Sequence, residues 1–333
     1  MAYFDVFNGD ADGLCALNQL RLHYPCDAAL VTGTKRDIAL LDQITAQAGD
    51  SVTVLDLSAD ANAEALQRLL DAGVRVTWFD HHSVALPTHR LLRATVSTDA
   101  YVCTSVLVDR QLDGRYRHWA VVGAYGDNLP QSARVLARSI KLPTTQRHAL
   151  RRLGTLLNYN AYGDHVNELI IHPAELYQRL HAYVDALMFC SVEPVLRQIE
   201  TALHADLQQA LSLPVVRVSG GRMVYLPGAP WGRRVIGTLA NHLARDEPML
   251  AHAVLVPCSD NAWRVSVRAP MKPGTGADQL CRQFTGGGGR AVAAGIDALP
   301  DAERPIFIKA FEQLFASSAA NQPISISCSL QSG

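Results

Sequence analysis

Over the first 130 residues, short apolar runs alternate with stretches of helical spacing, and this alternation restricts the chain to a small set of folds. Residues 3–7, 28–31, 52–55 and 74–79 form the apolar runs. Residues 14–22, 38–45 and 61–70 carry helical spacing, and Gly73 stops the last of them. Apolar strands separated by helices read as βαβ units, a parallel sheet with helices covering both faces. In such a sheet ligands gather at the carboxyl ends of the strands. The residues that follow each apolar run therefore matter most.

A second texture begins near residue 146. Residues 146–211 read as helix, interrupted near 158–163 and at 172–173, with no strand signal over 174–211. From Pro214 strands return at 215–218, 222–225, 253–257 and 263–268, with a helix over 235–244. A helical 277–284, a run of four glycines and a helix over 306–316 follow, and the polar stretch from Ser317 reads as loose. The expected organisation is α/β. An N-terminal parallel-sheet domain spans 1–145, a helical connector 146–212, a smaller C-terminal α/β domain 213–320, and a loose tail 321–333.

Composition narrows the class of function. Thirty Lys and Arg against 31 Asp and Glu leave a formal charge of −1, so the chain carries no global positive coat for gripping long duplex DNA. With 48% hydrophobic residues it is too apolar for a disordered chain. Seven scattered cysteines without C-x-x-C spacing argue for reduced thiols rather than a disulfide framework or a zinc ribbon. The first residues have no basic n-region, and no run of eighteen apolar residues is free of charge. The expectation is a cytoplasmic protein with no membrane partner.

The ends of the apolar runs carry the chemistry. The first ends in Asn8-Gly9-Asp10-Ala11-Asp12-Gly13. Two carboxylates one residue apart at a strand end can aim at one hard divalent cation. The same motif also suits an acidic turn with Asp12 near a helix N-cap. The third run ends in Asp56, the fourth in Asp80-His81-His82, and a further apolar segment, 120–126, closes with Asp127. Consecutive histidines are transition-metal donors, or a pair capping a loop. Carboxylates buried together would repel and their pKa values would rise, a conflict that divalent ions remove. Lys35 and Arg36 follow the 28–31 run at the same sheet edge, as positive charge for a substrate or as a solvated helix start. Residues 157–163, rich in Asn and Tyr, suit either base stacking or a helix-breaking turn. The four glycines are either a flexible linker or a backbone approach to a ligand.

Asp80-His81-His82, preceded by Asp10-x-Asp12-Gly13 and accompanied by Asp56 and Asp127, resembles the DHH phosphoesterase superfamily, which includes RecJ-type and NrnA-type enzymes. Ser266-Val267-Arg268 and the stretch Gly286 to Gly295 resemble the C-terminal DHH-associated domain. The resemblance implies two divalent cations, of manganese type with Mg2+ or Co2+ as alternatives. It implies Asp12, Asp56, His81 and Asp127 as ligands of one site and Asp10 with Asp56 as ligands of the other. It places His82 beside the scissile phosphate, with Asp80 orienting a histidine. Arg268, Gly287, Gly288, Gly289 and Arg290 are implied to hold the substrate. Two positions depart from the pattern. Val6 stands where many members have a histidine, which bears on the first metal site, and Arg290 replaces the histidine of the glycine-rich motif.

The expected function is a metal-dependent phosphoesterase that hydrolyses short oligonucleotides or small nucleotides with a two-metal-activated water. Its expected partner is a short nucleic acid or nucleotide, and a homodimer is compatible with it. Two alternatives accompany it: a RecJ-like single-strand exonuclease, and a non-catalytic nucleotide or metal sensor of the same fold.

Overall fold

The alternation resolves into strands and helices close to the expected places. The computed structural model describes residues 1–82, 86–258, 261–272 and 274–320. The chain divides after Asp206 into two compact units, Met1–Asp206 and Leu207–Gly333.

The first unit is built on β1 (Tyr3–Phe7), α1 (Ala11–His23), β2 (Ala29–Thr32), β3 (Ser51–Leu55), α2 (Ala63–Asp71), β4 (Arg75–Asp80) and β5 (Leu92–Val96). The five strands pair in the order β2-β1-β3-β4-β5, and every pair is parallel. Successive side chains of a strand point to opposite faces, and the core follows that rule. Phe7, Leu55 and Phe79 lie in register and face one core with α1. Val6, Val54 and Trp78, each one residue earlier, face the other with Leu66 and Leu70 of α2.

The larger core is completed by α3 (Thr104–Gln111), α4 (Arg117–Gly126), α5 (Pro130–Ser139), α6 (Thr144–Asn160), α7 (Pro173–His181), α8 (Ala186–Val192) and α9 (Val195–Leu211). Leu153, Leu157, Leu176, Phe189 and Ile199, from the stretch expected to be a connector, belong to the same core cluster as residues of α1 and α4.

One local expectation is corrected, and two elements go beyond what the sequence specified. Helical spacing over 38–45 yields only a 3-10 turn at Leu40–Gln43. The side chain of Asn62 accepts from Leu41 N at 3.1 Å and donates to Ile38 O at 2.6 Å, so the backbone there bonds across the fold. The apolar run ending at Asp127 is α4, buried almost all round, which is why its period is hidden in the sequence. Strand β5, Leu-Arg-Ala-Thr-Val, carries no apolar run that would mark it in the sequence.

The second unit contains β6 (Val215–Val218), β7 (Gly221–Tyr225), α10 (Pro230–Asp246), β8 (Ala251–Cys258), β9 (Ala262–Arg268), α11 (Ala277–Cys281), β10 (Gly287–Arg290), β11 (Ala293–Pro300) and α12 (Arg304–Ala320). Its sheet is mixed, in the order β10-β11-β9-β8-β7-β6. Met223, Leu255, Val265 and Val267 meet Phe307, Phe311 and Phe315 of α12 in one core. The glycine run is not a linker, since it forms β10 and pairs with β11. Helix α12 continues past Ser317, where a loose stretch was expected, and 321–333 lie outside the described residues. The six described cysteines are free, three of them buried.

Candidate metal centre

The carboxyl edge of the first sheet assembles the site. Asp10 follows β1, Asp56 follows β3, and Asp80 is the last residue of β4 with His81 and His82 behind it. Parallel strands with their ends at one level bring these side chains to one edge. Helix α4 delivers Asp127 directly after its last residue, Gly126. Gly123 of α4 lets this helix approach, because a Cβ there would stand 2.2 Å from Ser105 Oγ and 3.2 Å from Asp12 Oδ1.

Each carboxylate is fixed by a different local cause. Asp10 is the N-cap of α1, and its Oδ1 accepts the amides of Asp12 at 2.9 Å and Gly13 at 3.2 Å. Its Oδ2 accepts from the Lys35 ammonium. The capping role that the motif suggested for Asp12 at α1 therefore belongs to Asp10. Asp12 instead caps α3 across space, accepting Thr104 N at 2.7 Å and Ser105 N at 2.9 Å. Asp56 sits in the left-handed region at φ 61°, which Asp and Asn tolerate better than most residues. Thr104 Oγ1 donates to its Oδ1 at 3.0 Å. The Thr104-Ser105 pair was missed in the sequence, where it follows a loop and belongs to no motif.

His81 is the point on which the carboxylates converge. Its Nε2 lies 3.4 Å from Asp56 Oδ1, 3.9 Å from Asp127 Oδ2 and 4.0 Å from Asp12 Oδ2. His82 turns to Asp80, with Nδ1 2.7 Å from Asp80 Oδ1. Asp80 is fully buried, and its Oδ2 has no hydrogen-bond partner among the described residues. A grouping of Asp56, His81 and His82 also offers donor atoms within 4.8 Å of one another.

The electrostatics register the crowding. Burial, then the charges of Asp12 and Asp10, push the Asp56 carboxyl up to about 8. Burial works against an imidazolium at His81, yet the hydrogen bond to Asp56 and the charges of Asp127, Asp56 and Asp12 carry it up to about 10. Burial likewise opposes a charged His82, and Asp80 more than offsets it. At Asp10 burial raises the carboxyl, and the Lys35 charge with the helix amides takes it below the usual range. The protein alone thus balances this cluster with protons, which is the situation a divalent cation relieves.

The donor set fits such an ion. Hard carboxylate oxygens gathered around one imidazole nitrogen would hold a divalent cation and be neutralised by it. Asp12, Asp56 and Asp127 each bring an oxygen within 4.0 Å of His81 Nε2. Carboxylates with one imidazole suit Mn2+-type ions better than Ca2+, which prefers oxygen alone.

The C-terminal residues expected to hold substrate belong to the second unit. Arg290 of β10 and Arg268 of β9 are both in register with Ala293 of β11 between them. Directly opposed residues share a face, so the two guanidinium side chains rise from the same side of the sheet. The neighbouring row, Gly288, Gly295 and Ser266, is small. Arg268 Nε donates to Asn241 Oδ1 at 2.7 Å and Nη1 to Ser266 Oγ at 3.0 Å. Gly287 and Gly289 lie in the same strand, in register with Ile296 and Ala294.

No protein-family model and no curated protein sequence matches the chain. Solved structures do. Exonuclease RecJ bound to manganese superposes with a TM-score of 0.55 at 18% identity, over 97% of this chain and 91% of that one. RecJ from Thermus thermophilus in complex with Mn2+ gives 0.52 at 17% identity, over 96% of this chain and 52% of that one, so this chain spans about half its length. The pGpG-specific phosphodiesterase PggH from Vibrio cholerae gives 0.50 at 14% identity, over 97% and 100%. The chain shares its fold with these structures, as its resemblance in sequence leads one to expect. Among the described residues no helix is long and apolar enough to cross a membrane.

Proposed function

On a chain with the DHH-type fold, we propose a metal-dependent phosphoesterase that hydrolyses short oligonucleotides or small nucleotides. The observation that carries this reading is the convergence of Asp12, Asp56 and Asp127 on His81 Nε2. A divalent ion held by these four residues supplies Lewis acidity and a water whose pKa is lowered toward neutrality. The remaining steps belong to the chain. The amides of Thr104 and Ser105 hold the Asp12 carboxylate in one orientation, and Thr104 Oγ1 does so for Asp56. Asp80 holds the His82 ring from behind, so that its half-exposed edge faces a substrate phosphate and stabilises charge gathering on the oxygens. Arg268 and Arg290, on one face of a glycine-rich sheet in the second unit, suit an anionic or planar group such as a nucleotide carries.

Two neighbours of this fold support a nucleic-acid or nucleotide substrate by what their names state, an exonuclease and a pGpG phosphodiesterase. The near-zero net charge supports the short end of that range, since tracking a long single strand uses a continuous basic groove. The test is hydrolysis of a length series, from a dinucleotide to a 30-mer in RNA and in DNA, with Mn2+ or Mg2+ and an Asp56→Ala control. Turnover is expected to be fastest on two to five nucleotides and absent in the control. A preference for the longest DNA would favour the exonuclease, and no turnover on any member would favour a sensor.

A further inference from the structure

Asp10 is the site carboxylate that a lysine ammonium of the chain itself neutralises. Oδ1 is spent on the first turn of α1, and Oδ2 on Lys35. The lysine is not a long side chain that happens to reach. Its backbone is fixed on both sides, with Lys35 N donating to Ala161 O at 2.9 Å and Lys35 O accepting Asn8 Nδ2 at 3.1 Å. The preceding turn is closed by Thr34 N on Asp37 Oδ2 at 2.7 Å, and it is tight enough that a Cβ on Gly33 would stand 2.3 Å from that oxygen. The ammonium lies 6.0 Å from the centre of the Tyr162 ring. The strand leading to Asp10 adds no donor, since the side chains of Val6 and Phe7 are wholly buried and apolar. On the other side of the site, three carboxylates face one imidazole.

We infer that the Lys35 ammonium takes the place of a second cation at Asp10, so that the chain loads one divalent ion, on the His81 side. This rests on the metal-centre reading above. The family resemblance of the sequence leads one to expect two ions. Here the second positive charge is built into the loop after β2 and is present whatever the metal supply. An ammonium has three N–H groups, so beyond the bond to Asp10 it can also donate to a non-bridging phosphate oxygen.

The test counts ions. The full chain, stripped of metal, is titrated with Mn2+, and bound manganese is measured by elemental analysis and electron paramagnetic resonance. Wild type is expected to hold one Mn2+ per chain with a magnetically isolated six-line signal. Lys35→Met frees Asp10 and is expected to take up a second, with an exchange-coupled spectrum, while Lys35→Arg stays at one. Two ions in wild type overturn the inference and leave the metal centre standing. One ion in both wild type and folded Lys35→Met also overturns it, because the ammonium is then not what limits loading. No bound Mn2+ in wild type overturns the metal centre and this inference together. If Lys35→Met does not fold, the wild-type count and Lys35→Arg decide.

Discussion

The two units each bury a cluster of charge, and they treat it in opposite ways. In the second unit Arg222 is almost fully buried, and its donors are answered one by one. Nη1 bonds Glu247 at 2.7 Å, Nη2 bonds Asp246 at 2.9 Å and Leu243 O at 3.0 Å, and Nε bonds His252 Nδ1 at 3.2 Å. In the first unit Asp12, Asp56 and Asp127 surround His81 and compete for it. A balanced cluster serves the scaffold, because removing the charge leaves its partners unpaired. An overfilled cluster of one sign is tolerated where a cation from outside completes it, and it lowers the stability of the protein that carries it.

The largest expected effect comes from Asp12→Ala, which strikes both functions of one side chain. Hydrolysis falls below detection, and loss of the cap on α3 costs about 1–2 kcal/mol in chemical denaturation. A variant that kept its turnover would break the contrast between the units. Adding Mn2+ at a hundred times its dissociation constant should stabilise the first unit by ~2.7 kcal/mol and leave the second unchanged, seen as two separable transitions in calorimetry. Arg222→Met is the mirror case. It should cost about 2 kcal/mol in the second unit, where His252 loses its donor, with Mn2+ affinity unaltered.

Smaller effects sharpen the same contrast. Asp56→Asn keeps an acceptor for Thr104 and a side chain suited to φ 61°, while removing one charge from the crowd. Without metal it should match or exceed wild-type stability by on the order of 1 kcal/mol, the reverse of the Arg222 result. The smallest effect is a pH dependence. His252 is fully buried, accepts from Arg222 through Nδ1 and donates through Nε2 to Glu247 O at 2.9 Å. Burial above all holds its pKa below 6.5, with the Arg222 charge adding to it, against the hydrogen bond to the Glu247 backbone and the charges of Glu247 and Asp246, while Arg268 is its cross-strand neighbour. A base depressed in the folded state contributes stability above its unfolded pKa and loses it as pH falls below. The second unit should therefore weaken from about pH 6.5 downward, and His252→Gln should flatten that limb of the curve.

Much of the first unit is legible because most of its strands are largely apolar and several are followed abruptly by charge. Asp10, Asp56, Asp80 and His81 each follow such a run, and the sheet brings them to one edge. What stayed hidden was long-range. Nothing local to Thr104 indicates that its amide would meet Asp12, 92 residues earlier. Lys35 was visible as a basic residue at the right edge, but a solvated helix start was equally consistent with it until Ala161 and Asn8 fixed its backbone. Helix α4 was read as an apolar segment since burial on nearly all sides removes the amphipathic period. In the second unit four glycines carry no side-chain pattern at all, so their pairing with β11 could only come from the partner strand.

Equilibrium binding of Mn2+ to the metal-free chain, wild type against Asp56→Asn, tests the central claim most directly. Asp56 is nearer His81 Nε2 than Asp12 or Asp127, and the substitution preserves its shape and suits its backbone conformation. Binding by wild type with at least ~100-fold weaker affinity in the variant is the expected result. Equal affinity in the two proteins would place any bound manganese elsewhere and contradict the assignment of this edge as a metal centre.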